Sequence, residues 1–202
     1  MSATPQTNRL PAAERRQAIV DAAQRVFTSR SYARATTADI AREATVSEPI
    51  LYRHFPSKRE LYFACLDSAW VQLRDQLEAK LGTMAEDGAE IAFSNAALAM
   101  RRSKARVPNL WLQAVNEAGE DPQIQRHIRA HMREVHDYVA GALRRAQEAG
   151  RIPADRDLDA EAWVFIAGGL LLAVADRLGG VLGPGELDRI SAQRQRWLLG
   201  SD

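Results

Sequence analysis

A chain of 202 residues, 46% hydrophobic and 26% charged, can bury a sizeable core as one domain or as two small ones. Its net charge of +1 says little until the chain is split, although a non-specific architectural DNA binder would be basic throughout. The lone cysteine, Cys65, excludes an intrachain disulfide, suits a reducing compartment, and reads as a buried small hydrophobe among Leu61, Ala69 and Leu73.

Positional bias makes the charge informative. Residues 1–63 hold ten Lys and Arg against six Asp and Glu, whereas residues 64–202 hold 17 against 20. Positive charge is thus concentrated near the N-terminus, where it would meet phosphate. The opening MSATPQTNRLPAAERR is polar and Pro-bearing, with no apolar h-region, and reads as a short flexible arm. The longest apolar run, Ala162 to Ala175, is too short to span a bilayer and contains Gly168 and Gly169. A cytoplasmic location without a membrane partner is expected.

Helical periodicity persists along the chain, with no convincing alternating strand, so the expected class is all-α with about nine helices. They fall at 12–29, 37–44, 48–55, 57–81, 87–103, 108–118, 122–149, 159–178 and 184–199, separated by Gly- and Pro-bearing breaks. The fourth begins with Ser57 and Glu60 as a capping box, and its stripe of Tyr62, Leu66, Trp70 and Leu73 would join the N-terminal part to the rest.

The stretch from Thr36 to Lys58, TTADIAREATVSEPILYRHFPSK, carries the functional signal. Thr36 or Thr37 caps a first short helix and Ser47 a second, with Glu48 and Pro49 favourable in its first turn. Thr45, Val46 and Ser47 form the turn between them. Ile40, Val46, Leu51 and Phe55 are used by a small core, which leaves Glu48, Ile50, Tyr52, Arg53 and His54 to point outward as a recognition helix does.

From Arg15 to Leu61 the chain resembles the tetracycline-repressor (TetR) family of bacterial transcription regulators. The resemblance rests on RRQAIVDAAQRVF, Tyr32, the Thr36-Thr37 pair, DIAREATVS and, above all, LYRHFPSKRELY. Ser31 and Thr45 depart from it, because the family usually carries glycine at those two corners; both can close a turn through side-chain bonds. The resemblance implies a three-helix DNA-binding head, residues 1–56 with the arm, and an effector-binding and dimerisation body, residues 57–202. It places Thr36, Thr37, Ser47, Glu48, Pro49, Ile50, Tyr52, Arg53, His54 and Lys58 at the DNA surface. Chemistry makes Arg53 the base reader, since a guanidinium donates a bidentate pair to guanine, and Ile50 a partner for a thymine methyl. Tyr52, Lys58 and Thr37 read as phosphate anchors.

In the body, Trp70, Phe93, Met100, Trp111, Tyr138 and Phe165 could line an apolar cavity, with Gln113, Asn116 or Glu117 as polar handles. A pocket for a small, largely apolar effector is implied by the resemblance. The segment around Trp163, Ala167, Leu171 and Val174 is apolar nearly all round, and Leu187, Ile190, Arg194 and Trp197 extend it on the last helix. A second copy of the chain is the simplest cover, as in the family's four-helix dimer bundle. A dimer of this kind would bind a pseudopalindromic double-stranded operator.

Two other classes compete with a regulator. His127 and His131 stand at i, i+4 and could hold a metal for a metal-responsive regulator or an enzyme. Arg126, Arg129 and Arg133 crowd them, and there is no HExxH, nucleophile motif or phosphate-cradling loop, so neither an enzyme nor a cofactor is expected. An architectural DNA protein is disfavoured by the net acidic body.

Overall fold

Three helix starts in this chain are set by short polar side chains, those of Thr36, Ser57 and Asp121, which accept the backbone amides that follow them. The computed structural model describes residues 11–83 and 107–200, and among these residues it contains eight α-helices and no strand. They are α1 (Ala12–Ser29), α2 (Thr37–Glu43), α3 (Glu48–His54), α4 (Lys58–Thr83), α5 (Val107–Glu117), α6 (Pro122–Glu148), α7 (Leu158–Arg177) and α8 (Pro184–Leu199). The N-terminal arm and the helix expected at 87–103 lie outside the described residues, as do Phe93 and Met100.

Caps account for the boundaries. Thr36 Oγ1 accepts the Asp39 N–H at 3.1 Å and opens α2. Ser57 Oγ accepts the Glu60 N–H at 3.1 Å before α4, which runs on through Gly82. Asp121 Oδ1 accepts the N–H groups of Gln123 and Ile124 at the head of α6, with Pro122 in the first turn. Gly150, at φ +73°, ends α6 in the left-handed conformation that only glycine adopts without cost.

The chain divides into two compact units, Met1–Ser68 and Ala69–Asp202. In the first, α1 packs on α2 and α2 on α3 around Ile19, Val20, Phe27, Ile40, Leu51, Phe55, Leu61, Tyr62 and Cys65. Phe27, Tyr32 and Tyr62 meet ring against ring at 4.7 to 6.0 Å. Burial pushes the Cys65 thiol far above its usual range, which leaves it an inert core group. In the second unit α6 packs on α7, and α5 packs on both. Leu110, Ala114, Ile124, Val139, Leu143 and Ala162 are buried there.

Candidate functional site

The corner between α2 and α3 is built at a backbone cost. Ala44 N–H bonds to Ile40 O and Val46 N–H to Ala41 O, so the chain must turn sharply at Thr45. Thr45 takes φ +55°, the one positive φ outside glycine among the described residues. A β-branched side chain there costs on the order of 1–2 kcal/mol. This is one of the two corners where the sequence lacks the expected glycine; the other, Ser31, has no such φ and supplies a carbonyl to Arg34 and Ala35.

The turn fixes how α3 is presented. Leu51 and Phe55 are buried beneath it, while Pro49, Tyr52 and Arg53 are exposed and Glu48, Ile50 and His54 half-buried. Arg53 has no hydrogen-bond or ion-pair partner among the described residues, so its five donors face outward. Ser47 caps α3 through its backbone alone, leaving its exposed hydroxyl without a capping bond. Thr37 Oγ1 donates to Glu48 Oε2 at 2.8 Å and lies 3.2 Å from the Tyr52 hydroxyl, tying the start of α2 to α3.

Two of these side chains do more inside the chain than their sequence positions suggest. Thr36, besides capping α2, donates to Asp39 Oδ2 at 2.8 Å. That bond, aided by Arg30 and Arg42, holds the Asp39 carboxyl below its usual range. Lys58, expected at phosphate, donates to Tyr32 O at 2.9 Å and Ala35 O at 3.1 Å and sits 4.4 Å over the Tyr32 ring. Its ammonium therefore closes the loop between α1 and α2, with two of three protons spent there.

In the second unit the expected ligand residues are brought together in part. Trp70 is buried, donates its indole N–H to Glu134 Oε1 at 3.0 Å, and meets Tyr138 edge-on at 5.6 Å. Trp111 meets His131 edge-on at 4.8 Å, and His131 is 6.1 Å from Trp70. Phe165 and Glu117 are half-buried, whereas Asn116 is exposed. Burial, then Glu78, raises Tyr138 above its usual range and keeps its phenol protonated. The i, i+4 spacing offers His131 to a metal together with His127. The structure seats its ring as a buried aromatic, edge-on to both Trp111 and Trp70 and 6.1 Å from the His127 ring. Trp111 Nε1 and Gln113 Oε1 are both buried, in residues only 6% and 7% exposed, and have no hydrogen-bond partner among the described residues.

The expected interface residues divide on α7 and α8. Trp163, Leu171, Val174, Ile190 and Trp197 are exposed large hydrophobics, and Ala167 is exposed with them. Leu187 is buried within the chain, so its surface is already covered. Arg194 is tied internally, donating to the Glu161 carbonyl and to Glu161 Oε2 at 3.0 Å. The Trp197 indole N–H donates to Glu161 Oε1 at 2.8 Å, while its ring stays exposed beneath the Arg156 guanidinium. Burial pulls Arg194 below its usual value, and the Glu161 charge opposes that. His136 stacks on Trp163 at 4.6 Å, with Nε2 3.1 Å from Asp159 O. One expectation changes. The apolar stretch of α7 runs from Leu158 to Ala175, 18 residues, long and apolar enough by composition alone to cross a bilayer, with a third of it buried.

Known proteins resemble both units. Residues 19–65 match the family model of bacterial regulatory proteins, tetR family. The HTH-type transcriptional activator FasR of Mycolicibacterium smegmatis is 52% identical over 59 residues, 29% of this chain, and the match spans only 27% of that relative. The HTH-type transcriptional regulator SrpR of Pseudomonas putida is 32% identical over 154 residues, 76% of this chain and 71% of the relative. A TetR-family transcriptional regulator from Rhodococcus sp. superposes with a TM-score of 0.77 at 19% identity, over 93% of this chain and 99% of that one, a likeness of fold alone.

Proposed function

The chain belongs to the TetR family of bacterial regulatory proteins, and from that premise we propose that it is a cytoplasmic, homodimeric repressor released from its operator by a small molecule. DNA binding is assigned to residues 1–56, and effector binding and dimerisation to residues 57–202. The observation that carries the reading is α3 itself: a short helix anchored by Leu51 and Phe55, offering to solvent Tyr52 and Arg53, the latter without a partner among the described residues, after a helix-turn-helix corner. Arg53 reads guanine, Ile50 contacts a thymine methyl, and Ser47 and Tyr52 meet phosphates.

Dimerisation follows from the exposed aromatic and aliphatic groups on α7 and α8. A bilayer is a poor cover for the same surface, because Glu161 and Asp159 lie in the apolar stretch and are paired with Arg194 and Arg144. The effector is read as small and largely apolar, with an acceptor for the Trp111 indole or a donor for the Gln113 carbonyl, groups left unmatched among the described residues. By linkage, it lowers operator affinity by the factor by which operator lowers its own.

Selection from randomised duplex DNA tests the function. A two-fold dimer with recognition helices in successive major grooves yields a pseudopalindrome, its half-sites about 34 Å apart or a multiple of that. An asymmetric site, or no motif, would count against the reading. Effector candidates are then titrated with and without that duplex, and a compound of equal affinity in both is not the effector.

A further inference from the structure

The protons shared by three side chains at the junction of α2 and α3 can be placed in one way. A carboxylate only accepts, so Glu48, 2.8 Å from Thr37 Oγ1, takes the threonine's single proton. The Thr37 oxygen then has only lone pairs to offer Tyr52, and the 3.2 Å contact must run from the phenol to the threonine. The Thr37 and Tyr52 hydroxyl protons are thereby both spent inside the chain, one directly on a carboxylate and the other behind it. Arg53, on the same helix, has no such restraint among the described residues.

We infer that Glu48 sets DNA specificity by standing in for a phosphate. On arbitrary duplex its charge repels the backbone and keeps the Thr37 and Tyr52 protons on the protein, so a loosely seated complex forgoes two phosphate contacts. On the right sequence the base contacts of α3 hold the helix close enough for a DNA phosphate to displace the carboxylate and take the donors. Glu48 therefore penalises non-specific binding more than specific binding. The inference rests on the reading that α3 faces DNA.

The test measures the full-length protein and its Glu48→Ala and Glu48→Gln variants on two duplexes, the selected operator and one 30-base-pair duplex of unrelated sequence, over a salt series. Glu48→Ala is expected to bind the unrelated duplex about tenfold more tightly, and because the hydroxyls of Thr37 and Tyr52 are neutral, the salt slope steepens by less than the roughly 0.9 that one added cation would bring. On the operator its affinity rises about threefold or less, so the specificity ratio falls. Glu48→Gln, which keeps an acceptor for Thr37 but loses the charge, falls between the two. Adding Thr37→Val and Tyr52→Phe to Glu48→Ala removes the share of the gain that the freed donors cause and leaves only the share due to the lost charge; a gain that survives in full overturns the assignment. Unchanged or weaker binding of folded Glu48→Ala to the unrelated duplex, with folding checked by circular dichroism, overturns it as well. So does an altered base preference in selection without a change on that duplex, since Glu48 would then be a base reader. Failure of the proposed function is separable, because it appears as a wild-type protein that selects no motif at all.

Discussion

Arg53 and Lys58 are both cations at the end of the helix-turn-helix segment, yet their surroundings give them opposite tests. Arg53 is exposed and unpartnered among the described residues, so Arg53→Ala should leave the fold intact and relax base preference at one position per half-site, costing about 1–3 kcal/mol per contact. Selection with the variant checks this, and an unchanged motif would refute it. Lys58 instead donates to Tyr32 O and Ala35 O. Lys58→Ala should lower the stability of the head by about 1–3 kcal/mol in the absence of DNA, because two carbonyls lose a charged donor. Denaturant melts of the variant without DNA decide it; a wild-type midpoint would return Lys58 to a purely phosphate-facing role. Thr45 supplies the reverse case. With φ at +55°, Thr45→Gly removes left-handed strain and should stabilise the head by roughly 0.5–1 kcal/mol after glycine's extra chain entropy is subtracted. A lower melting temperature would show that the threonine side chain contributes more than the strain costs.

At the scale of elements, the helices are legible because their ends are written locally. Thr36, Ser57 and Asp121 cap from within three residues, and Gly150 stops α6 directly. What the sequence hides are partners far apart in the chain. Lys58 finds its carbonyls 26 and 23 residues away, and Thr37 meets Glu48 and Tyr52 at separations of 11 and 15. No period or spacing rule reports such pairs, since packing creates them. His131 is a further case: its i, i+4 neighbour is visible in the sequence, but the two tryptophans against its ring are not. The Glu161 bonds to Arg194 and Trp197, across 33 and 36 residues, are a third instance, and they join α7 to α8. Glu161→Ala would leave the Trp197 indole N–H without its acceptor and the partly buried Arg194 guanidinium with only the backbone carbonyl of residue 161, at a cost of about 2 kcal/mol given that Arg194 keeps some contact with water. Hydrogen exchange should therefore quicken in α8 while α1 to α3 keep their protection. Equal protection in α8 would mean that apolar contacts alone hold it.

For the molecule as a whole, the open question is what covers α7 and α8. Trp163, Val164, Leu171, Val174, Ile190 and Trp197 together expose more large apolar surface than scattered single residues would, and a helical interface of this type resembles a domain core cut in half. The isolated chain makes the test clean. Leu171 is 49% exposed and Ile190 47%, so a carboxylate at either position stays in water in the monomer and should not unfold it. In a two-fold dimer the same substitution enters twice and is desolvated at the contact, so its cost is doubled. Leu171→Glu and Ile190→Glu should each give a helical, soluble monomer that has lost operator binding, although α3 is untouched, because one head alone makes half the contacts. Sedimentation read together with circular dichroism separates this from unfolding. Helical variants that still sediment as dimers at both positions would move the interface elsewhere, while monomers that still hold the operator with wild-type affinity would detach DNA binding from dimerisation.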